Sequence, residues 1–380
     1  MRNVFFIGLI SFFNYISTEM VYPLIPLYLA AIGETHALIG VIEGIAESLS
    51  CLLKVYSGHL TDKFQKKKAI AFFGYSTGIL YILALILASS WVGIFVARVI
   101  DRVGKAIRTA PRDVLVNESV SKENIGKAFG LNKASDMLGS AVGILITYFV
   151  LRSFNGNYDY KNLFAISAIP VVLGLCMFFF VKQKNVSQQI VKHEPFWKNI
   201  GKIDRRLKLY LLVVFIFTLG NSSIAFILLR AKSVGFDDVN VILLYFIYNI
   251  VASILAMPFG NLSDKAGRKK LLVPSYIAFA LCYFGFAFAD TQISMIAVFV
   301  LYGVYTAMIA GVERAFISEI SPPNLKGTMF GLHSTIAGIA LLPASIFAGV
   351  LWSAFGAAVP FIFGASLAIV ATMILIIFLD

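Results

Sequence analysis

Apolar runs of about twenty residues recur along this sequence from end to end, separated by short polar breaks. That feature leaves few folds open. At a rise of about 1.5 Å per residue, a helix needs roughly 20 apolar residues to cross the hydrocarbon of a bilayer. Lipid offers the backbone no hydrogen-bond partners, so the runs are helices rather than open strands. Charge is correspondingly scarce: Asp, Glu, Lys and Arg make up 14% of the 380 residues, where a soluble domain carries about 25%.

Twelve spans are predicted, near residues 4–31, 37–60, 69–88, 91–112, 125–151, 162–182, 207–231, 238–261, 270–289, 291–316, 327–352 and 357–379. The first could pass for a signal peptide, because Arg2 precedes an apolar run. It is too long for one and carries Glu19, Pro23 and Pro26 in its body, so it reads as a retained helix. Lys63, Lys66, Lys67 and Lys68 follow the second span, and Lys265, Arg268, Lys269 and Lys270 follow the eighth. Lys182, Lys184, Lys192, Lys198, Lys202, Arg205 and Arg206 fill the central loop, whereas alternate loops such as 33–37 carry no Lys or Arg. The positive-inside rule then predicts a multi-pass protein of the inner (cell) membrane with both termini and the central loop cytoplasmic. It also accounts for the net charge of +12 without any nucleic-acid partner. Cys51, Cys176 and Cys282 fall inside spans, lack metal-ligand spacing and are expected to be free, buried thiols. The four histidines are scattered, and the sequence has no nucleotide loop, metalloprotease helix or nucleophile elbow. No metal, no cofactor and no enzymatic activity are expected.

The chain repeats itself. Gly58-His-Leu60-Thr-Asp62-Lys63 recurs as Gly260-Asn-Leu262-Ser-Asp264-Lys265, 202 residues on (62 to 264). Gly126-Lys-Ala-Phe129-Gly130-Leu131 recurs as Gly327-Thr-Met-Phe330-Gly331-Leu332, 201 residues on (126 to 327). Arg112 falls on Arg314 and Gly33 on Gly235. An offset of six spans plus a linker makes both copies run the same way through the membrane, a parallel repeat about an axis along the membrane normal. The expected fold is an all-α membrane protein, twelve transmembrane helices in two pseudo-symmetric six-helix bundles. The N-terminal half is 1–182, a cytoplasmic linker 183–205, and the C-terminal half 206–380. Trp197, Lys198 and Arg205 suit either a linker helix on the inner surface or a merely solvated segment.

The Gly-x-Leu-x-Asp-Lys loops resemble the signature loop of the major facilitator superfamily, the second copy closely through Gly267, Arg268 and Lys269, the first with Gln65 at the usual second Gly. Glu319-Ile-Ser-Pro322-Pro323-Asn-Leu-Lys326-Gly327 resembles that family's loop between helices 10 and 11. The resemblance implies alternating-access transport of a small-molecule substrate by a monomer in the bilayer. It also implies a cytoplasmic gate at these loops, built from Gly58, Asp62, Lys66, Arg112, Asp113, Gly260, Asp264, Arg268, Glu313 and Arg314. Asp113 would pair with Lys66, and Glu313 or Glu319 with Arg268. Asp62 and Asp264 could accept hydrogen bonds from a helix N-terminus; alternatively these charges only set topology.

Ionisable groups inside a span cost roughly 2.5–3.5 kcal/mol each at its centre and mark functional sites by default. Glu19 lies in span 1. Glu43 and Glu47 share a face of span 2, and Lys133 and Asp136 lie in span 5. In span 4, Arg98, Asp101, Lys105, Arg108 and Arg112 step by three and four and form one stripe, with Arg102 beside it. That stripe must face a cavity or partner helices. Arg98 resembles the Arg of the R-x-x-Q-G motif of drug:proton antiporters, with Asp101 and Arg102 in place of Gln and Gly. Gly139-x-x-x-Gly143 resembles the start of their G-x-x-x-G-P motif, with Ile144 at the Pro.

Two readings follow. Either Glu19, Glu47, Asp101 and Asp136 carry protons, with Arg98 and Arg102 as modulators or anchors for an anionic substrate, or the charges neutralise one another structurally. In the second case Asp101 would pair with Arg98 or Lys105, and Asp136 with Lys133. The charges belong to the first copy: Glu19 falls on Asn221, Glu47 on Asn249, Asp101 on Gly303 and Asp136 on Ala337. The predicted cavity set is Glu19, Glu43, Glu47, Arg98, Asp101, Arg102, Lys105, Asp136, Asn221 and Asn249, with Ser222, Tyr245 and His333 as further neutral contacts. The expected activity is proton-coupled secondary transport, efflux favoured. The alternatives are an organic-anion uptake or exchange carrier and a transporter-fold sensor; a sensor would carry a signalling domain, and none is expected.

Overall fold

In a computed structural model the chain is described over residues 2–64, 66–121, 125–153, 159–183, 205–309, 312–321 and 326–378. Among these residues every regular element is a helix. The first copy comprises α1 (Arg2–Val21), α2 (Leu24–Ala31), α3 (His36–Phe64), α4 (Lys67–Leu87), α5 (Trp91–Glu118), α6 (Ile125–Ser153) and α7 (Tyr160–Met177), which runs into a 3-10 turn at Phe178–Phe180. The second comprises α8 (Arg205–Gly220), α9 (Ile224–Ser233), α10 (Asp238–Ala266), α11 (Arg268–Phe288), α12 (Gln292–Ile309), α13 (Val312–Ile320), α14 (Lys326–Phe355) and α15 (Val359–Phe378).

The repeat is visible element by element. The first span of each copy is two helices, α1–α2 and α8–α9; in the first copy the break falls at Tyr22 and Pro23, because proline cannot donate the hydrogen bond that would continue α1. Helices α3 and α10 are both 29 residues long, and α4 and α11 both 21. Gly33 and Gly235 close the first span of each copy at φ 86° and 99°, a left-handed turn that favours glycine.

Eleven segments among the described residues are long and apolar enough to cross a membrane. The fourth predicted span fails that test because of its charges, yet α5 is a continuous 28-residue helix. Its length, about 42 Å at the helical rise, is ample for a crossing. Burying the charged stripe makes a helix of this composition tolerable in a membrane.

The described residues fall into two compact units, residues 1–33 with 49–192, and residues 34–48 with 193–380. The linker at 183–205 lies almost wholly outside the described residues. In the first unit α1 packs on α6 and α7, and α4 on α5 and α7. In the second, the counterparts pack alike: α8 on α14 and α15, and α11 on α12 and α15.

Small residues let backbones approach where apolar burial gives no drive, because lipid is as apolar as the helix. A Cβ on Gly139 would lie 2.4 Å from the Phe12 carbonyl, and one on Gly143 2.4 Å from that of Ile16. The Gly139-x-x-x-Gly143 pair is therefore the α1–α6 contact. Of the cysteines, Cys282 is buried, Cys51 half-buried and Cys176 exposed, against the expectation of three buried thiols. Cys176 shares α7 with exposed Ile166, Ile169, Val172 and Leu173, an apolar face that lipid can solvate.

Candidate functional site

The first unit holds an ionic seam along α5. Arg98, Asp101, Arg102 and Arg108 are all buried, Arg98 completely. Asp101 Oδ2 lies 3.6 Å from Arg102 Nε and 4.0 Å from Arg98 Nη1. Both guanidinium groups face the Tyr22 ring, with their carbons 5.1 Å (Arg98) and 5.6 Å (Arg102) from its centroid. Tyr22 stands at the break between α1 and α2, where an aromatic face can meet two cations. Of the two partners expected for Asp101, Arg98 is present at the edge of ion-pair range, and Arg102, which was not expected, joins it.

Further along the stripe, the Arg108 guanidinium lies 5.2 Å from the centre of the Tyr75 ring on α4. The Tyr75 hydroxyl is 3.3 Å from the Ser11 hydroxyl on α1, which donates to Asn132 Oδ1 on α6 at 3.4 Å. Arg112 Nε donates to Asp113 Oδ1 at 3.0 Å, and Arg112 Nη1 is 3.6 Å from Asp136 Oδ2. Two expectations are corrected here. Asp136 pairs with Arg112 across to α5 rather than with Lys133, which is exposed on its own helix. Asp113 pairs with Arg112 rather than with Lys66, which is exposed. Both carboxylates gain more from a guanidinium, which can serve two acceptors from one planar fork. Glu19 and Lys105 are half-buried. A buried ion pair between Lys67 and Glu118, joining the start of α4 to the end of α5, had no signal in the helical spacing, because its partners are 51 residues apart.

The second unit is built differently. Glu43, which the sequence places with the first-half charges, lies in the stretch 34–48 that belongs to this unit. It is buried and accepts a hydrogen bond from Ser223 Oγ at 3.2 Å; Glu47 is half-buried one turn further on. Ser223 also caps α9 by accepting from the Ala225 amide. The Tyr283 hydroxyl donates to Asn221 Oδ1 at 3.4 Å and lies 3.5 Å from Ser222 Oγ. Asn249 turns its amide onto its own helix, at the Tyr245 carbonyl. Around them runs an aromatic layer of which the predicted site held Tyr245 alone: Tyr245 on Tyr248, Tyr248 on Tyr302, and Tyr302 on Phe286, edge to face, with centroids 5.2, 5.4 and 5.8 Å apart. The signal available was the density of Tyr and Phe in spans 8 to 10.

Of the gate residues, Arg268 Nη1 lies 3.5 Å from Glu319 Oε2. Glu313, the other acid considered for Arg268, instead accepts from the Tyr276 hydroxyl at 3.0 Å. Gly260 is half-buried with open space where a Cβ would point. The side chains of Asp62, Asp264 and Arg314, and the surroundings of Gly58, lie outside the described residues.

Two helical units of the same packing, one lined by ion pairs and the other by hydroxyls and aromatic rings, define a membrane transporter with a repeated fold. The Major Facilitator Superfamily model matches residues 7–229 and 210–380, and the chain belongs to that family. An MFS-type transporter of Methanocaldococcus jannaschii is 36% identical over 99% of this chain and 94% of its own length. The multidrug resistance protein MdtG of Yersinia enterocolitica is 21% identical over 93% of this chain and 87% of its own. Among solved structures, the nucleoside transporter NupG superposes with a TM-score of 0.80 at 12% identity, covering 99% of this chain and 98% of its own. A D-xylose–proton symporter superposes with a TM-score of 0.76 at 15% identity, covering 100% and 97%. Those two likenesses concern the fold.

Proposed function

We propose that this protein is a secondary active transporter that exports a small solute by alternating access in exchange for protons. It works as a monomer in the cell's inner membrane with both termini cytoplasmic. The observation that carries this reading is the ionic seam of the first unit: Asp101 against Arg98 and Arg102, and Asp136 against Arg112. At the equivalent positions the second half has Gly303 and Ala337. A buried carboxylate held by a guanidinium can exchange its cationic partner for a proton when its exposure changes, so such a pair can load on one side and release on the other. The first half of the sequence then carries coupling through Asp101 and Asp136, with Glu19 and Glu47 as further candidate carriers, and the second half recognises the solute through Asn221, Ser222, Tyr245 and the aromatic layer. The signature loops, with Asp62, Asp264 and the Arg268–Glu319 pair, latch the cytoplasmic side. The kinship with a multidrug resistance protein favours export.

A second reading, favoured by the two guanidinium groups over Tyr22, is that Arg98 and Arg102 hold the anionic group of an organic acid taken up or exchanged. The test is flux in proteoliposomes, screened over labelled solutes with and without a pH gradient. Flux that rises with the gradient is expected, and flux indifferent to it removes proton coupling. If Glu47→Gln, Asp101→Asn and Asp136→Asn each leave the flux intact, those charges are structural.

A further inference from the structure

The second unit contains a titratable cluster that the coupling scheme above leaves unused. Helices α4 and α11 correspond end to end at an offset of 201 residues (Lys67 to Arg268, Leu87 to Phe288). At that offset Tyr75 falls on Tyr276, Asn132 on His333 and Arg112 on Glu313, one residue before the Arg314 it meets at 202. In the first unit this place is cationic, with Arg112 held by Asp113 and Asp136. In the second it is anionic. Glu313 Oε1 accepts from the Tyr276 hydroxyl at 3.0 Å, and Glu313 Oε2 lies 3.8 Å from His333 Nε2. The Tyr210 hydroxyl donates to the Glu313 carbonyl at 3.4 Å, which fixes the start of α13.

The helices packed on α13 bring these groups to it: Tyr210 from α8, Tyr276 from α11, Tyr305 from α12 and His333 from α14. On α13 itself, Glu319 is taken by Arg268 of α11, and the Arg314 side chain lies outside the described residues. Tyrosine titrates at about 10 in water and an imidazole at about 6.5, so histidine is the residue type in this cluster that changes charge between about pH 5 and 8. The side chains keep partial exposure, 13% (His333) and 24% (Glu313), while His333 Nε2 itself is buried, a polar atom placed to gain from a proton shared with Glu313.

We propose that Glu313 and His333 form a proton-binding site of the second unit, distinct from the first-unit carboxylates. Neutral imidazole and carboxylate, net charge −1, take one proton from water at His333 Nε2 and become a pair of net charge zero. Release returns the proton to water, and no other bond forms or breaks. Protonation turns a weak contact between α13 and α14 into an ion pair, so the α13–α14 seam tightens and loosens with pH.

The test needs no transported solute. The full chain, labelled with 15N and 13C at histidine and held in lipid nanodiscs, is titrated by NMR from pH 5 to 9. The His333 signals are those lost in His333→Asn, and the other three histidines serve as controls. The expected result is a His333 titration in this range whose midpoint is displaced by about one pH unit or more in Glu313→Gln. Asp136→Asn should leave it in place. A His333 signal that does not titrate, or a midpoint unmoved by Glu313→Gln, overturns the proposal. Should Glu313→Gln misfold, Glu313→Asp, which withdraws the carboxylate by one methylene, gives the same reading. Because the readout is proton binding at one side chain, it stands or falls independently of proton-coupled flux.

Discussion

Arg112 on α5 lies 3.6 Å from Asp136 on α6 and holds Asp113 of its own helix at 3.0 Å. One guanidinium thus holds two carboxylates and joins the fourth and fifth spans through one of them, Asp136. Removing one partner of a buried pair typically costs about 3–5 kcal/mol, because the survivor stays buried without its counter-charge. Asp136→Asn is therefore expected to lower the melting temperature of the purified protein in detergent, and Arg112→Gln to lower it similarly. The double variant should recover part of the loss, which a double-mutant cycle measures. Additive losses would mean that the two side chains do not interact.

Asp101 is the shared acceptor of Arg98 and Arg102. Asp101→Asn is expected to destabilise by about 3–5 kcal/mol and to lower solute flux, since two cations over Tyr22 lose a common anion. Arg98→Lys should be damaging too, because a point-like ammonium cannot lie flat on the Tyr22 ring as a guanidinium does. Melting curves and flux together check both; an unchanged melt in Asp101→Asn would count against the seam.

Arg230 offers a test of the second unit's architecture. It donates to the carbonyls of Phe286, Ala287 and Ala289, the last turn of α11, at 2.8, 3.2 and 3.1 Å. Those carbonyls have no partners within the helix, so the side chain acts as its C-cap. Arg230→Ala should cost about 1.5–3 kcal/mol per buried carbonyl left unsatisfied, up to what water can replace. Thermal melts give the total, and amide exchange should localise the loss to the end of α11.

Gly139 and Gly143 should tolerate no side chain. Gly139→Val places a Cβ 2.4 Å from the Phe12 carbonyl, so α1 and α6 must separate. Overpacking of this kind costs about 1–3 kcal/mol or more. Gly130, with open space at its Cβ, is the control: Gly130→Ala should leave stability unchanged or slightly raised. Equal melts for the two variants would refute the close packing.

The Arg268–Glu319 pair is at the surface, with Glu319 56% exposed, so Glu319→Gln should change stability by no more than about 1 kcal/mol. Its expected effect is on access: cysteines facing the cytoplasm should label faster in Glu319→Gln and in Asp62→Asn. Unchanged labelling in both variants would leave the loops with a topological role only.

The membrane-spanning helical character and the presence of two repeated halves were legible in the sequence. Runs of about twenty apolar residues can only be helices in lipid, and a near-constant offset of 201–202 residues implies two copies of one fold. The stripe on α5 was legible for the same reason: a period of 3.6 residues fixes which side chains share a face of a helix, and charge forbids that face to lipid. Periodicity says nothing about what stands opposite. Arg112 rather than Lys133 meets Asp136, and Glu319 rather than Glu313 meets Arg268, because the axial offset and distance between helices decide which long side chains reach each other. Those offsets come from packing, through contacts such as Gly139 on Phe12, that no single helix specifies. The sequence by itself determined where charge could be buried; only the tertiary structure decided which charges face one another, since an ion pair depends on a few ångströms across a helix interface.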